Sequence, residues 1–228
     1  MNICSICNSS LVKDETISQM ICSDCGHGYR IYDGNIIEYH KKYYRKNFQR
    51  TANEFKDGKV TELFHLARKK IVENRLRLIQ KYISDTDNIL DIGSGAGTFA
   101  NALKHHVYNI QCLELDQSLI NECKRLGFYT FTKDFLTQDF NNMYDVIFAW
   151  HVLEHIDDIH KFVEKCSKLS RKYIIIEVPS KRKPSKIFEG HLHYFTKKSL
   201  ELLCKSLGLQ IVDIMDGVQS PAILGVFK

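Results

Sequence analysis

Residues 88–97, NILDIGSGAG, constrain the fold more than any other stretch of the chain. Asn88 to Ile92 reads as a short buried strand. Three glycines follow at alternate positions, and a helix-compatible run opens at Thr98 and continues to His105. Strand, glycine turn and helix together form the first unit of a Rossmann-like sheet. A dinucleotide fingerprint, G-x-G-x-x-G, would need its third glycine at position 98, where this chain has Thr. The glycines stand at 93, 95 and 97 instead, headed by Asp91, so the pattern is D-x-G-x-G-x-G.

Further units of the same kind follow. Tyr108 to Asp116 is a second strand, ending in an acid 19 residues after Gly97. A carboxylate at the tip of a second strand can accept hydrogen bonds from both hydroxyls of a ribose. Glu114, two residues earlier, shares that face. A helix (119–126), a strand (128–132) and Asp134-Phe135 complete a third unit. Met143 to Trp150 is a continuous apolar strand of the parallel-sheet type. Arg171 to Pro179 is a fifth strand, which Pro179 ends. Thr196 caps a helix that Gly208 closes. Leu209 to Met215 and Ala222 to Phe227 supply a sixth strand and a seventh, its antiparallel neighbour. Ahead of all this, Leu63, Leu66, Ala67, Ile71, Leu78, Ile79 and Tyr82 give a helix-period stripe over 60–83.

HVLEH, residues 151–155, fits H-x-x-E-H, which in some peptidases sets two zinc-binding histidines and a catalytic glutamate on one helix. Here the strand runs to the edge of the pentapeptide. The better helix start is Asp157-Asp158, leading into Ile159. No later segment clearly supplies a third ligand. The pentapeptide instead stands at the carboxyl end of a central strand, where open α/β sheets place their ligands.

The chain has eight cysteines and no apolar stretch suited to a secretory signal or a membrane span, so a cytosolic location and reduced thiols are expected. Cys4, Cys7, Cys22 and Cys25 form C-x2-C-x14-C-x2-C, a spacing that matches a structural zinc site. Such a site is closed to substrate, and its task is to fold some 30 residues that lack their own core. His27 is an alternative to Cys25 as a ligand. The resulting division is a zinc ribbon over 1–37, a polar, aromatic connector over 38–59 and an α/β domain over 60–228. With formal charge +5, or about +3 once four thiolates hold a zinc ion, the balance neither requires nor excludes a nucleic-acid partner. The basic clusters 41–46 and 181–186 read as solvated loops.

The D-x-G-x-G-x-G loop resembles motif I of the class I S-adenosylmethionine methyltransferases. YDVIFAWHVLEHIDD resembles the fourth-strand region of a large subgroup of them, and GHLHYFT another mark of that subgroup. The resemblance covers about residues 60–228, and zinc ribbons also precede such domains. It implies a seven-stranded, mostly parallel Rossmann-like sheet, with S-adenosylmethionine bound by Asp91, Gly93, Ser94, Gly95, Gly97, Asp116, Asp134 and His151. Asp116 is chosen over Glu114 because D-x-S before a helix resembles the family pattern. Asp91 takes the ammonium group, and Asp134 meets the adenine. His155 faces the methyl acceptor, Glu154 orients a histidine or the backbone, and His191, rather than His193, is a second acceptor-site residue. Ser94 stands where many relatives carry Cys.

The implied reaction is an in-line displacement in which the protein aligns acceptor, methyl and sulfur. His155 or His191 serves as base. The sequence shows no set suited to a catalytic metal, so the reading is metal-independent O-methylation, with N or C as other acceptor atoms and zinc purely structural. A small polar acceptor is favoured: a sugar, a nucleotide sugar, or a glycan or secondary-metabolite precursor. A zinc-ribbon RNA methyltransferase is one alternative, although no N-P-P-Y-like tetrapeptide follows the fourth strand. A non-catalytic cofactor-binding adaptor is the other.

Overall fold

A computed structural model describes residues 3–14, 19–30, 55–56, 59–180, 190–218 and 221–228. Most of the connector and both basic clusters lie outside the described residues. Small antiparallel strands come first: β1 (Leu11–Asp14), β2 (Gln19–Cys22), β3 (Gly28–Arg30), β4 (Phe55–Lys56) and β5 (Lys59–Val60). The α/β part follows in the order α1 (Glu62–Ile79), β6 (Asn88–Ile92), α2 (Thr98–Leu103), β7 (Asn109–Leu113), α3 (Gln117–Arg125), β8 (Tyr129–Phe131), β9 (Tyr144–Trp150), α4 (Ile159–Leu169), β10 (Ser170–Pro179), β11 (His193–Tyr194), α5 (Lys197–Ser206), β12 (Ile211–Asp216) and β13 (Ala222–Phe227).

Seven strands make one sheet in the order β12-β13-β10-β9-β6-β7-β8. Strand β6 runs parallel to β7 and β9, and β7 parallel to β8. Strands β12 and β13 are antiparallel. This is the Rossmann-like methyltransferase sheet that the sequence implied. Its strand order reverses at β6, and ligands of open α/β sheets bind outside the carboxyl ends of strands at such a point.

The chain divides into two compact units, one of Met1–Asn47, His151–Glu164 and Ile176–Lys228, the other of Phe48–Trp150 and Lys165–Ile175. The second unit builds its core on β6 and β9. Ile89, Leu90 and Ile92 are buried beside Val146, Ile147, Phe148 and Ala149. Phe99 meets Phe148 and Trp150 edge-on at 5.1 and 4.9 Å. Both strands are largely apolar because a parallel strand is covered on two faces. Helix α1 buries Phe64, Val72, Arg75 and Ile79. Leu63 and Leu66, expected in its stripe, are 56% and 53% exposed. At about 100° per residue they lie about 100° and 160° round the helix from Phe64, which packs with Ala96 and Leu119.

The first unit contains a four-stranded sheet, β1-β2-β3-β11. Tyr29 pairs with His193 and Gly28 with Tyr194, so a segment from residue 193 onward completes a sheet begun near the N-terminus. Gly26, with φ +71°, makes this possible: a Cβ there would stand 2.8 Å from Thr196 Cγ2. Thr196 caps α5 through a reciprocal bond with Ser199, and its hydroxyl also donates to the Cys25 carbonyl at 2.6 Å.

Candidate functional site

In the second unit the glycine loop leaves β6 with Gly93, Gly95 and Gly97 all at positive φ. Only glycine adopts this region without strain, and three in alternation bring the backbone round in a tight crest. Gly93 and Ser94 donate their N–H groups to Leu113 O at 2.8 and 3.1 Å. A Cβ on Gly97 would stand 3.1 Å from Cys123 Sγ, whereas one on Gly95 would meet nothing within 4 Å. The loop is therefore packed below Gly97 and open at Gly95. The Ser94 hydroxyl lies 3.6 Å from Cys123 Sγ, and Cys123 in turn reaches Gly95 O at 3.1 Å.

Asp91, on the last turn of the strand before the loop, is 1% exposed. Among the described residues neither of its carboxylate oxygens has a hydrogen-bond donor. Burial pushes this carboxyl up to about 7; the Arg75 guanidinium opposes the rise and Glu114 adds to it. A buried, unbonded carboxylate is costly unless a cation or donor completes it. Glu114 is arranged differently. Its Oε2 accepts from Gly95 N at 2.8 Å, and its Oε1 accepts from Leu115 N and Asp116 N at 2.7 and 3.0 Å. Burial raises its pKa against the pull of those three N–H groups.

Asp116 is occupied otherwise. Its Oδ1 accepts from Ser118 N and Leu119 N at 2.8 and 3.2 Å, the N-cap of α3. The D-x-S pattern thus marks a helix start, and the acid turned to the glycine loop is Glu114. The signal was present in the sequence, since residues two apart on a strand share a face. Asp134 is exposed and accepts from Leu136 N at 2.8 Å, closing a local turn.

The first unit holds the histidines. HVLEH does not form an α-helix: Leu153–His155 is a single 3-10 turn. His151 takes φ +56°, rare for a residue with a side chain, and its N–H donates to Glu177 O at 2.8 Å. Its ring lies between two fully buried carboxylates, with Nδ1 3.2 Å from Glu154 Oε1 and Nε2 2.8 Å from Glu177 Oε1. Burial works against the imidazolium, but the two carboxylates prevail and raise His151 to about 9. His155 has Nδ1 2.7 Å from Gly190 O. A carbonyl only accepts, so Nδ1 carries a hydrogen. His155 Nε2 lies 3.9 Å from Glu154 Oε1, and His191 Nε2 lies 4.0 Å from the same oxygen. Burial lowers His191 to about 4. The structure thus brings His151, His155 and His191 around Glu154. Glu177, which no sequence motif singles out, belongs to the same group.

His193 goes elsewhere. Its Nδ1 is 3.0 Å from His27 Nε2, and the two rings stack at 5.2 Å. Beside them Cys4, Cys7, Cys22 and Cys25 converge within 4.8 Å of one another. Cys4 and Cys25 sulfurs are 3.7 Å apart, and Cys7 and Cys22 sulfurs 3.3 Å. Sulfurs held tetrahedrally at about 2.3 Å from zinc would be about 3.8 Å apart, so the four residues fit the ion. His27 is not in this group.

A profile of the family described as "Methyltransferase domain" matches residues 38–214. Among characterised proteins, a ubiquinone biosynthesis O-methyltransferase of Coxiella burnetii is 25% identical over 119 residues, which are 49% of this chain and 48% of that protein. The chain thus spans about half the length of the curated relatives it matches. Among solved structures, a Burkholderia thailandensis 1,6-didemethyltoxoflavin-N1-methyltransferase, with 1,6-didemethyltoxoflavin and S-adenosylhomocysteine bound, superposes with TM-score 0.65 at 14% identity, covering 90% of this chain and 96% of that one. A DhpI-SAM-HEP complex gives TM-score 0.63 at 16% identity, covering 87% and 100%. The profile covers more than half of the chain and the fold superposes on these structures: the chain belongs to the methyltransferase-domain family, and its fold is that of S-adenosylmethionine-dependent methyltransferases.

Proposed function

We propose that this protein methylates an oxygen of a small polar acceptor, using S-adenosylmethionine. The observation that carries the reading is Asp91: a buried carboxylate that has no donor among the described residues, just before an open glycine crest. The residues present fit the cofactor. Asp91 would hold its ammonium group, the Gly95 side of the crest would take the backbone approach of its methionyl part, and Glu114 would accept from its ribose hydroxyls. When bound, it supplies a methyl group activated on a sulfonium. Asp116 caps the helix that follows and keeps Glu114 in place through its own N–H.

The proton of the acceptor hydroxyl falls to the histidine group. His151, raised to about 9 and held between Glu154 and Glu177, is charged near neutral pH and orients rather than accepts. His155 is oriented by its Nδ1–H, which donates to Gly190 O. It is the base in this reading, and His191 lines the same acceptor site. Small acceptors are supported by the names of the relatives, one an O-methyltransferase of ubiquinone biosynthesis and one holding a small heterocycle. Sugars, nucleotide sugars and glycan or metabolite precursors remain the favoured class within that chemistry. The four clustered cysteines would hold zinc in a structural role.

Incubation with methyl-labelled S-adenosylmethionine tests this, using two pools from the source cell: total RNA and a small-molecule extract. Label in the small-molecule pool supports the proposal and identifies the acceptor by mass. Label confined to RNA overturns the acceptor class. Cofactor binding with no transfer to either pool would favour an adaptor.

A further inference from the structure

Glu154 is 0% exposed, and so is Glu177. Among the described residues Glu154 Oε2 has no hydrogen-bond donor. Glu154, His155 and His191 each turn one ligand atom to a common point, all within 4.8 Å of one another. The His155 ring has the arrangement of a metal ligand, with Nδ1–H on a backbone carbonyl.

We propose that Glu154, His155 and His191 form a second metal site, distinct from the cysteine cluster, for a divalent transition-metal ion of the zinc class. Two imidazoles and one carboxylate suit such an ion and leave positions open for an exogenous oxygen. The present separations of 3.9 and 4.0 Å exceed the about 3.4 Å expected of ligand pairs around zinc, so each ring closes in by a few tenths of an ångström on binding. The third ligand that H-x-x-E-H lacks in its own turn is His191, 36 residues beyond His155. The set differs from the peptidase pattern, because the glutamate binds and His151 does not. An ion here would bind the acceptor oxygen and lower its pKa, relieving His155 of the role of base. That role rests on the methyltransferase reading. The site itself does not.

The test is a titration of the full chain, stripped of metal, with zinc in competition with a chromophoric chelator, repeated with cobalt. Wild type is expected to take up two equivalents. The cobalt bound at the cysteines shows thiolate-to-metal charge transfer, and the other equivalent shows only ligand-field bands. His191→Ala and His155→Ala are expected to keep the thiolate site, which also reports that the first unit is folded, and to lose at least about 100-fold in affinity at the other. A wild type that saturates at one equivalent overturns the proposal. So does a second equivalent that survives both substitutions. Neither result depends on methyl transfer, so loss of this site and loss of the proposed function can be told apart.

Discussion

Replacing Asp91 with Asn separates what the fold needs from what the cofactor site needs. The Asp91 carboxyl is pushed from its usual 3.8 up to about 7 by burial, despite Arg75. In the unfolded chain it loses its proton near the usual value, and in the folded chain only near 7. Between those values the folded state holds the extra proton. Stability is therefore greatest below the unfolded pKa and falls as pH rises through the folded one. A rise of about three units, at about 1.4 kcal/mol each, is a loss of about 4 kcal/mol by pH 8. Asn cannot ionise, so Asp91→Asn should exceed wild type in urea resistance by up to about 4 kcal/mol at pH 8 and by little at pH 4. Calorimetry with S-adenosylhomocysteine supplies the other half. At pH 6 about nine in ten Asp91 groups carry a proton, so wild-type affinity should be about tenfold weaker than at pH 8. The variant should bind weakly with no such slope. A wild-type affinity that is flat from pH 6 to 8, together with a variant no more stable than wild type at pH 8, would refute the reasoning.

Other substitutions probe separate parts. Glu114→Gln should weaken S-adenosylhomocysteine binding more than Asp116→Ala, whose main effect is an N-cap loss of about 1 kcal/mol in urea unfolding; the reverse order would return the ribose to Asp116. Gly97→Ala should destabilise by about 1–2 kcal/mol, because φ is +68° there and Cys123 Sγ crowds the new methyl group; unchanged stability would show that the crest can relax. His155→Ala should cut turnover while cofactor affinity, read by calorimetry, stays at the wild-type value; full turnover removes His155 from the reaction. Chelation of metal from the cysteine cluster should speed amide exchange at Arg30, whose N–H donates from β3 to Leu192 O just before β11; unchanged protection would show that the strands hold without the ion.

Much of the sheet was legible because strands covered on both faces read as largely apolar runs. Asn88–Ile92 and Ala222–Phe227 lie where expected, and Thr196 and Gly208 bound α5 through capping chemistry that is local in sequence. The expected stripe over 60–83 holds at its end, where Ile79 and Tyr82 are buried, and not at its start. Leu63 and Leu66 are as apolar as any buried residue, and only the tertiary partner of Phe64 decides which side is covered. Between Glu114 and Asp116 the sequence offered two acids on one face, and backbone hydrogen bonds that no pattern encodes assign one to the cap. The group around Glu154 was hidden for a different reason. Its members come from a turn, a strand and a loop, and Glu177 looks like an ordinary interruption of an apolar strand until His151 is placed against it.

The most direct measurement is a crystal structure of the zinc-loaded protein with S-adenosylhomocysteine. The account predicts the amino group on Asp91, the ribose hydroxyls on Glu114 and the ligand backbone passing over Gly95. A ligand bound away from the glycine crest, or an Asp91 carboxylate still without a partner in the complex, would contradict it.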